Sequence, residues 1–438
     1  MGRKLMHEKA PSTVTKAPST VTSAMQMTLL AGFLGWMMDG FEQGIFPMLA
    51  SPALNSMVPS EVAALGAQAA KGWVGDWMGW ITSAYLLGAA LGGAAFGWLG
   101  DRVGRVRAMS LSILFYSVFS GLCYFAHEPW HFLVFRFLAS LGMGGEWALG
   151  VALVMEVWPE RHRSKMAGAI GMAANAGYVL VGVVALLYPA TGDTWRTHFL
   201  IGASPAILTL LVRIFVPESE RWKQAAQAEA AAPTGRSKLG EVFGAGLRGS
   251  TLAAILLTSI VFIATWGAVQ WISLWVDSLA GPANPRAKAY AMVVLSVGAC
   301  ISTFLAPVLL ARFSRRTGYQ LLCGLALITC LWLYRTPAEW GPLMMVKIFT
   351  LGLTSTAFFG FFPLYLPELF PTRIRATGQG ICFNAGRIVA IPFVIFSGRL
   401  VETLGGYQQA AATVTLIYAL GLFAAFLAKE TSGRPLED

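Results

Sequence analysis

A run of apolar residues from Met27 to Ala50 is long enough to cross a lipid bilayer, and it carries Asp39 and Glu42 near its middle. A helix needs about 20 apolar residues to span the hydrocarbon core, so both acids are placed deep in the membrane. Their spacing of three residues puts them on one helix face. Because a charge at that depth costs roughly 2.5–3.5 kcal/mol, we expect both side chains to have a function and to face a protein interior or a water-filled cavity. The alternative is that both carboxyls are neutral and merely packed.

The whole chain has the composition of an integral membrane protein. Of its 438 residues, 56% are hydrophobic and 12% are charged, against about 25% charged in soluble proteins. The net charge of +10 does not indicate nucleic-acid binding, because Lys and Arg cluster in short gaps between apolar runs instead of forming a basic stripe. The five cysteines lie in apolar runs at no metal-ligand spacing, so we expect neither a metal site nor a cofactor.

Apolar runs predict an all-α membrane protein with twelve transmembrane helices in two pseudo-symmetric six-helix bundles. The predicted spans are 27–50, 77–99, 107–126, 131–158, 166–188, 195–216, 250–279, 289–311, 319–334, 340–366, 376–398 and 408–427. With an even number of spans, both termini lie on one side. About 23 of the 32 Lys and Arg residues fall on that side, about 6 on the other, and the rest within spans. This asymmetry predicts that both termini are cytoplasmic.

The spans divide the chain into five segments, and its two halves repeat a charged motif. The segments are a disordered cytoplasmic tail (1–25), an N-terminal six-helix bundle (26–217), a central cytoplasmic loop (218–249), a C-terminal six-helix bundle (250–429) and a cytoplasmic tail (430–438). The motif Glu156, Pro159, Arg161, Arg163 and Gly168 recurs as Glu368, Pro371, Arg373, Arg375 and Gly380. In the same register Asn175 corresponds to Arg387. Internal repeats of this kind are typical of transporters.

The turn between spans two and three reads Gly97-Trp-Leu-Gly-Asp101-Arg102-Val-Gly104-Arg105-Val-Arg107. It resembles the signature loop of the major facilitator superfamily, and Pro217–Trp222 resembles the P-E-S-x-R-W ending of the sugar-porter-like branch. The resemblance implies cytoplasmic salt bridges that gate the two bundles in the outward-facing state. Their members are Asp101, Glu156 and Glu368 as acids, with Arg102, Arg105, Arg161 and Arg373 as bases. A network of such pairs can bias two conformations that differ by a few kcal/mol.

Two further motifs resemble organic-acid symporters of the same superfamily. Asp39-Gly-Phe-Glu42 is similar to the D-G-x-D motif of aromatic-acid:proton symporters, with Glu in the second acid position. Gly142-Met-Gly-Gly-Glu146-Trp in span four is similar to the pattern of metabolite and organic-acid carriers, and it adds a third buried carboxyl. The resemblance places the chain nearest the aromatic-acid, sialate and lactate-type carriers. The glycines alone are also explained by close helix packing.

Buried cations supply the other half of the expected site. Arg387 lies midway along span eleven and cannot lose its proton, so it needs an anion. That anion is either a buried carboxylate of the chain or a substrate carboxylate held bidentately. Arg136 in span four either pairs with Glu146 or Asp39, or reaches the interface. Lys347 is a weaker candidate, and we expect the tryptophan at position 275, in span seven, to belong to the interfacial belt.

These observations predict a proton-coupled symporter of a small organic anion (a monocarboxylate, an aromatic acid or a sugar acid) that works by alternating access in the cell membrane. The predicted proton-coupling residues are Asp39, Glu42 and Glu146. The predicted substrate-binding residues are Arg387, Asn384, Asn175, Tyr178, Gln270, Trp266 and Arg136. We expect a monomer in the lipid bilayer that is not an enzyme and binds no nucleic acid.

Two other transport functions fit the same fold. A carrier of neutral sugars or polyols is favoured by the sugar-porter-like motifs and by the polar and aromatic residues of spans five and seven. An exporter of hydrophobic cations would use the buried acids as counter-ions, but Arg387 argues against it. A membrane sensor would need a signalling domain, for which the tails and central loop are too short.

Overall fold

The structure, a computed structural model, describes residues 21–189, 194–205, 207, 214–231, 237–281, 283–434 and 436. Most of the predicted disordered tail, residues 1–20, lies outside this part. The described N-terminal half forms α1 (Ser23–Asn55), α2 (Ser60–Ala64), α3 (Ala67–Val103), α4 (Arg105–Leu122), α5 (Pro129–Val157), α6 (Arg163–Leu187) and α7 (Trp195–Gly202). The central segment contains α8 (Glu220–Ala231) and α9 (Lys238–Val242), so it is folded and not simply a loop.

The C-terminal half continues the all-helical pattern. It forms α10 (Arg248–Gly267), α11 (Ile272–Ala280), α12 (Ala287–Leu310), α13 (Arg315–Arg335), α14 (Pro342–Ser355), α15 (Phe358–Tyr365), α16 (Arg375–Ile395), α17 (Ser397–Thr403), α18 (Tyr407–Val414) and α19 (Ile417–Ala424). Backbone groups inside a bilayer must be hydrogen-bonded within the protein, and helices achieve this locally. Large apolar side chains such as Leu91, Ile328 and Phe423 remain exposed on the outer surfaces.

Ten helical segments of the described residues are long and apolar enough to cross a membrane. The other two predicted spans are α1, which is 33 residues long, and residues 195–216, which the structure describes only in part. Several of the described spans are interrupted. Span seven breaks between α10 and α11 at a 3-10 turn, Val269–Trp271. Span ten breaks between α14 and α15, and span twelve breaks between α18 and α19. Discontinuous helices often supply polar groups to a transporter cavity.

The repeated charged motif folds the same way in both halves. After Pro159 the chain forms a 3-10 turn, Glu160–His162, and α6 starts at Arg163. After Pro371 it forms a 3-10 turn, Thr372–Ile374, and α16 starts at Arg375. Both pairs of positions are 212 residues apart (371 − 159 and 375 − 163). The repeat predicted from sequence is therefore a repeat of local structure.

Two long seams join the halves. Helix α3 packs along α16, and α6 packs along α12. Each seam pairs one helix from each half, and the cavity described below lies between them. We call the end of the molecule that carries the α3–α4 turn and the central segment the basic end.

Candidate functional site

A cavity lies at the centre of the molecule between the two halves. Its space for water-sized spheres is about 80 Å³, which is enough for several water molecules. Among the described residues that line it, Asp39 and Arg387 carry the only formal charges. The lining is Trp36, Asp39, Gly40, Gln43, Ala174, Asn175, Tyr178, Phe262, Thr265, Trp266, Val269, Gln270, Ile272, Ser273, Met292, Leu295, Ser296, Ala299, Thr356, Phe359, Phe383 and Arg387.

Asp39 faces this cavity from α1. The neighbouring Gly40 brings α1 so close to α6 that a Cβ atom there would collide with the backbone of Ala174. Asp39 is 4% exposed, and its Oδ1 has no hydrogen-bond partner among the described residues. Glu146 and Arg387 are both near enough to interact with it electrostatically. Asp39 is therefore a buried acid without a fixed ion-pair partner.

Arg387 faces the same cavity from α16. Its side chain is buried, and neither Nε nor Nη1 has a hydrogen-bond partner in the part of the chain that the structure describes. The guanidinium carbon lies 5.4 Å from the ring centre of Phe262 and 5.8 Å from that of Phe383. Aromatic faces attract a guanidinium, but they leave its N–H donors unsatisfied. Arg387 thus offers unused donors to an anion.

Glu42 does not share the position of Asp39. It is fully buried and forms an ion pair with Arg136. Its carboxylate also accepts a hydrogen bond of 3.0 Å from the hydroxyl of Ser120. The predicted alternatives for Arg136, a pair with Asp39 or Glu146 or a position at the interface, were wrong because the buried guanidinium meets Glu42 of α1 and is covered by the rings of Phe46 and Tyr85. Neither Glu42 nor Arg136 lines the cavity.

Glu146 lies on α5 behind the cavity wall. It is 2% exposed, and neither carboxyl oxygen has a hydrogen-bond partner in the described part of the chain. Its side chain packs against Gly35, where a Cβ atom would collide with Glu146 Oε1. Gly144, two residues before it, allows α5 to touch the backbone of Ala89 on α3. The glycines of this motif are explained by close packing, and the acid is left without a partner.

A chain of neutral polar groups crosses the cavity between the halves. The hydroxyl of Tyr178 donates to the amide oxygen of Gln43. The amide of Gln270, in the 3-10 turn of span seven, donates to the Tyr178 oxygen over 3.3 Å. The amide of Gln43 donates to the hydroxyl of Tyr85 over 2.7 Å. Gln43 and Tyr85 were not predicted as site residues; the position of Gln43 one turn after Asp39 was the available signal.

The remaining predicted binding residues divide into two groups. Asn175 and Trp266 line the cavity. Asn384 does not: its amide donates to the carbonyl oxygens of Gly144 at 3.1 Å and Gly380 at 3.0 Å, so it stabilises the contact between α16 and α5. The expected interfacial position of Trp275 was also wrong, because that ring is buried 5.6 Å from Tyr334.

Lys347 donates hydrogen bonds to groups just beyond the end of α13. Its Nζ donates to the hydroxyl of Thr336 at 2.6 Å and to the carbonyl of Pro337 at 3.0 Å. Helix α13 ends at Arg335, so the ammonium group satisfies acceptors just beyond that end. These two hydrogen bonds account for the burial of Lys347, so no ligand is needed to explain it.

A charged network joins the halves at the basic end. Arg105 forms ion pairs with Asp101 and, over 3.0 Å, with Glu156. Glu156 also meets Arg375 from the other half at 3.3 Å. Asp101 accepts the backbone N–H of Thr377 at 2.8 Å, in the first turn of α16. Asp101 and Glu156 therefore link Arg105 of their own half to Arg375 and the N-terminus of α16 in the other half.

Two predicted members of the gating network, Glu368 and Arg373, pair with other partners. Arg373 pairs with Glu241 of the central segment, and Glu368 pairs with Arg315 at 2.9 Å. Arg102 lies over the ring of Trp98. Arg161 contacts His162 at 3.1 Å. The repeat aligns Arg375 with Arg163, but only Arg375 reaches across the seam to Glu156, and sequence analysis missed this role.

Two helical halves that enclose a central cavity with an acid and a free guanidinium define a membrane transport protein. Residues 17–391 match the Major Facilitator Superfamily. The chain belongs to this family, whose members are membrane transporters and not enzymes. The predicted fold and family are thereby confirmed.

Relatives and solved structures cover nearly the whole chain. The chain is 31% identical over 422 residues to a probable 4-methylmuconolactone transporter of Cupriavidus pinatubonensis, covering 94% of this chain and 92% of that protein. It is 27% identical over 373 residues to the cis,cis-muconate transport protein of Acinetobacter baylyi, covering 83% and 85%. The fold is similar to that of the proton:xylose symporter XylE bound to 6-bromo-6-deoxy-D-glucose, with a TM-score of 0.75, 18% identity, and coverage of 94% and 98%.

Proposed function

We propose that the protein is a proton-coupled symporter of a small organic anion. The observation that carries this proposal is the Arg387 guanidinium, which faces a central cavity with unsatisfied donors and shares that cavity with Asp39. The relatives named above, whose printed substrates are a muconolactone and muconate, support an organic acid.

Arg387 is the proposed anion-binding group. A guanidinium stays charged at any physiological pH, so its burial without an ion pair is costly. A substrate carboxylate supplies the missing charge and matches the planar fork of donors bidentately. Asn175 of the other half lines the same cavity, so a bound substrate touches both halves.

Asp39 and Glu146 are the proposed proton carriers, whereas Glu42 has a structural role. Asp39 and Glu146 are buried without cationic partners at hydrogen-bond distance, and a lone carboxylate in such a place favours the proton-bound form. Glu42 is neutralised by Arg136 instead. In this proposal Asp39 and Glu146 therefore exchange protons, whereas Glu42 stays in its ion pair with Arg136.

The coupling follows from the electrostatics of Asp39 and Arg387. An ionised Asp39 attracts the guanidinium and competes with a substrate carboxylate. Protonation removes this competition, so Arg387 becomes available to the anion. With proton and anion both bound, the cavity carries no unbalanced charge, and the halves can move around it at a low electrostatic cost. A membrane potential adds about 2.3 kcal/mol per net charge moved per 100 mV.

We further propose that the basic end is cytoplasmic, with both termini on that side of the cell membrane. The excess of Lys and Arg supports this orientation. The network of Asp101, Arg105, Glu156 and Arg375 then closes the cytoplasmic side. A single chain encloses the whole cavity, so we propose that the monomer is the working unit in the bilayer, with no nucleic-acid partner.

A facilitated or proton-coupled carrier of neutral sugars or polyols is the second candidate. The hydrogen-bonded chain of Gln43, Tyr178 and Gln270 favours it, because amides and hydroxyls suit sugar hydroxyls. This reading leaves Arg387 without an anion, so we place it second.

Uptake into proteoliposomes tests both functions. Purified protein is reconstituted, an inward proton gradient is imposed, and accumulation is measured for monocarboxylates, aromatic acids, sugar acids and neutral sugars. We expect carboxylates to accumulate only with the gradient. Accumulation of neutral sugars alone, without dependence on pH, would establish the second candidate instead.

A further inference from the structure

The cavity has too little positive charge to neutralise a ligand with two carboxylates. Among the described lining residues, Arg387 is the only cation and Asp39 is the only acid. The other buried guanidinium nearby, that of Arg136, is occupied by Glu42. A ligand with one carboxylate can be neutralised here, whereas a second carboxylate finds no cation.

The part of the cavity that α1 lines beyond Asp39 is polar but neutral. Gln43 follows Asp39 by four residues on α1, which places it about 6 Å further from the basic end. There it joins Tyr178 and Gln270 in the chain of hydrogen bonds that crosses between the halves. Amide and hydroxyl groups both donate and accept, so they suit a hydroxyl or carbonyl oxygen.

Much of the remaining cavity wall is aromatic. Phe262 and Phe383 flank the guanidinium of Arg387, and Trp36, Trp266 and Phe359 extend the apolar lining. An apolar surface of this kind favours a ligand body without charge.

We propose that this site selects monoanionic carboxylates that carry a neutral oxygen group at the opposite end, and that it discriminates against dicarboxylates. This inference rests on the proposed function and specifies its substrate. The carboxylate binds Arg387, the neutral oxygen joins the Gln43, Tyr178 and Gln270 chain, and the apolar body lies between them. A second carboxylate would lose its hydration beside neutral groups and near ionisable Asp39, which is unfavourable.

Matched pairs of compounds test this selection on the purified full-length protein in detergent at pH 7. The pairs are 4-hydroxybenzoate with terephthalate and lactate with methylmalonate. Within each pair, one compound has a neutral hydroxyl group where the other has a second carboxylate. Isothermal titration calorimetry should give binding of the monoanion in at least one pair, with its dianion weaker by about tenfold or more.

Two variants of one position sharpen the test. Gln270→Arg adds a cation to the neutral chain. It should reduce the difference in affinity between the monoanion and the dianion of a pair by about tenfold. Gln270→Met has a similar length but no polar group; it should weaken the monoanion without improving the dianion.

The outcomes separate this inference from the proposed function. If carboxylates accumulate in proteoliposomes but a dianion binds at least as tightly as its monoanion, the selection is wrong and the symport function stands. If no carboxylate binds or accumulates, the proposed function fails and this inference fails with it.

Discussion

Arg136 of α5 and Glu42 of α1 form a buried ion pair inside the N-terminal half. Asp39 lies only three residues before Glu42, yet it faces the central cavity and has no ion-pair partner among the described residues. Two acids that sequence alone treats as equivalent therefore have different environments. Substitutions at the two positions should have different consequences.

Replacing Glu42 by Ala should destabilise the protein, because it leaves the Arg136 guanidinium buried and unpaired. Removal of one partner from a buried pair costs about 3–5 kcal/mol. Thermal unfolding in detergent should show a clearly lowered midpoint. The double variant Glu42→Met with Arg136→Met removes both charges and should recover much of this loss. A Glu42→Ala protein as stable as the wild type would show that the pair has no structural role.

Replacing Asp39 by Asn should abolish accumulation of the anion against its gradient and spare exchange of the anion across the membrane. Asn is similar in shape but cannot carry the proton, while Arg387 remains available to the substrate. Proteoliposomes loaded with substrate measure exchange, and a proton gradient measures accumulation. Continued accumulation by Asp39→Asn would exclude Asp39 as the coupling acid. A Glu146→Gln variant tests the second proposed carrier in the same assays.

Much of this site could be predicted from sequence, because charge in an apolar span is conspicuous. Asp39, Glu146 and Arg387 were identified because they lie near the middle of membrane-spanning apolar runs. The partner of Arg136 could not be identified, since it depends on how α1 and α5 are rotated about their axes. Asn384 was misassigned for the same reason: it sits one turn before Arg387, yet it contacts the backbone of α5.

The fold itself followed from apolar runs and the internal repeat, but local irregularities did not. The 3-10 turn that brings Gln270 to the cavity interrupts a predicted span, and no proline lies there to signal the break. At the basic end, the repeat placed Arg375 in register with Arg163. It could not show that Arg375 reaches Glu156 across the seam, because that contact depends on how the halves are packed.

Replacing Arg387 by Lys should weaken substrate binding by at least about tenfold, although the positive charge is kept. Lysine presents a compact ammonium group and cannot bind a carboxylate through two parallel N–H donors. Calorimetric titration of the variant and the wild type gives the ratio directly. Arg387→Met, which also removes the charge, should bind more weakly still. Equal affinity in wild type and Arg387→Lys would remove the guanidinium from the binding site.

Replacing Glu156 by Gln should shift the protein towards a conformation open at the basic end. The carboxylate lies between Arg105 of one half and Arg375 of the other, and the side chains of Arg105 and Glu156 have no exposed surface. Without that charge the two guanidinium groups repel each other across the seam. Breaking one partner of a buried pair is costly enough to move an equilibrium between two states.

Spin labels at the exposed positions Arg107 and Arg312, one in each half, measure this opening in a variant without the partly exposed Cys300. Glu156→Gln should lengthen the distance between the labels in a larger share of molecules than in the wild type. Glu160→Gln is the matched control, because that carboxylate pairs with Arg163 within the same half and is half-exposed. An exposed pair contributes only about 0–1 kcal/mol, so this control should leave the distances unchanged. An unaltered distance distribution in Glu156→Gln would show that other contacts hold the halves together at this end.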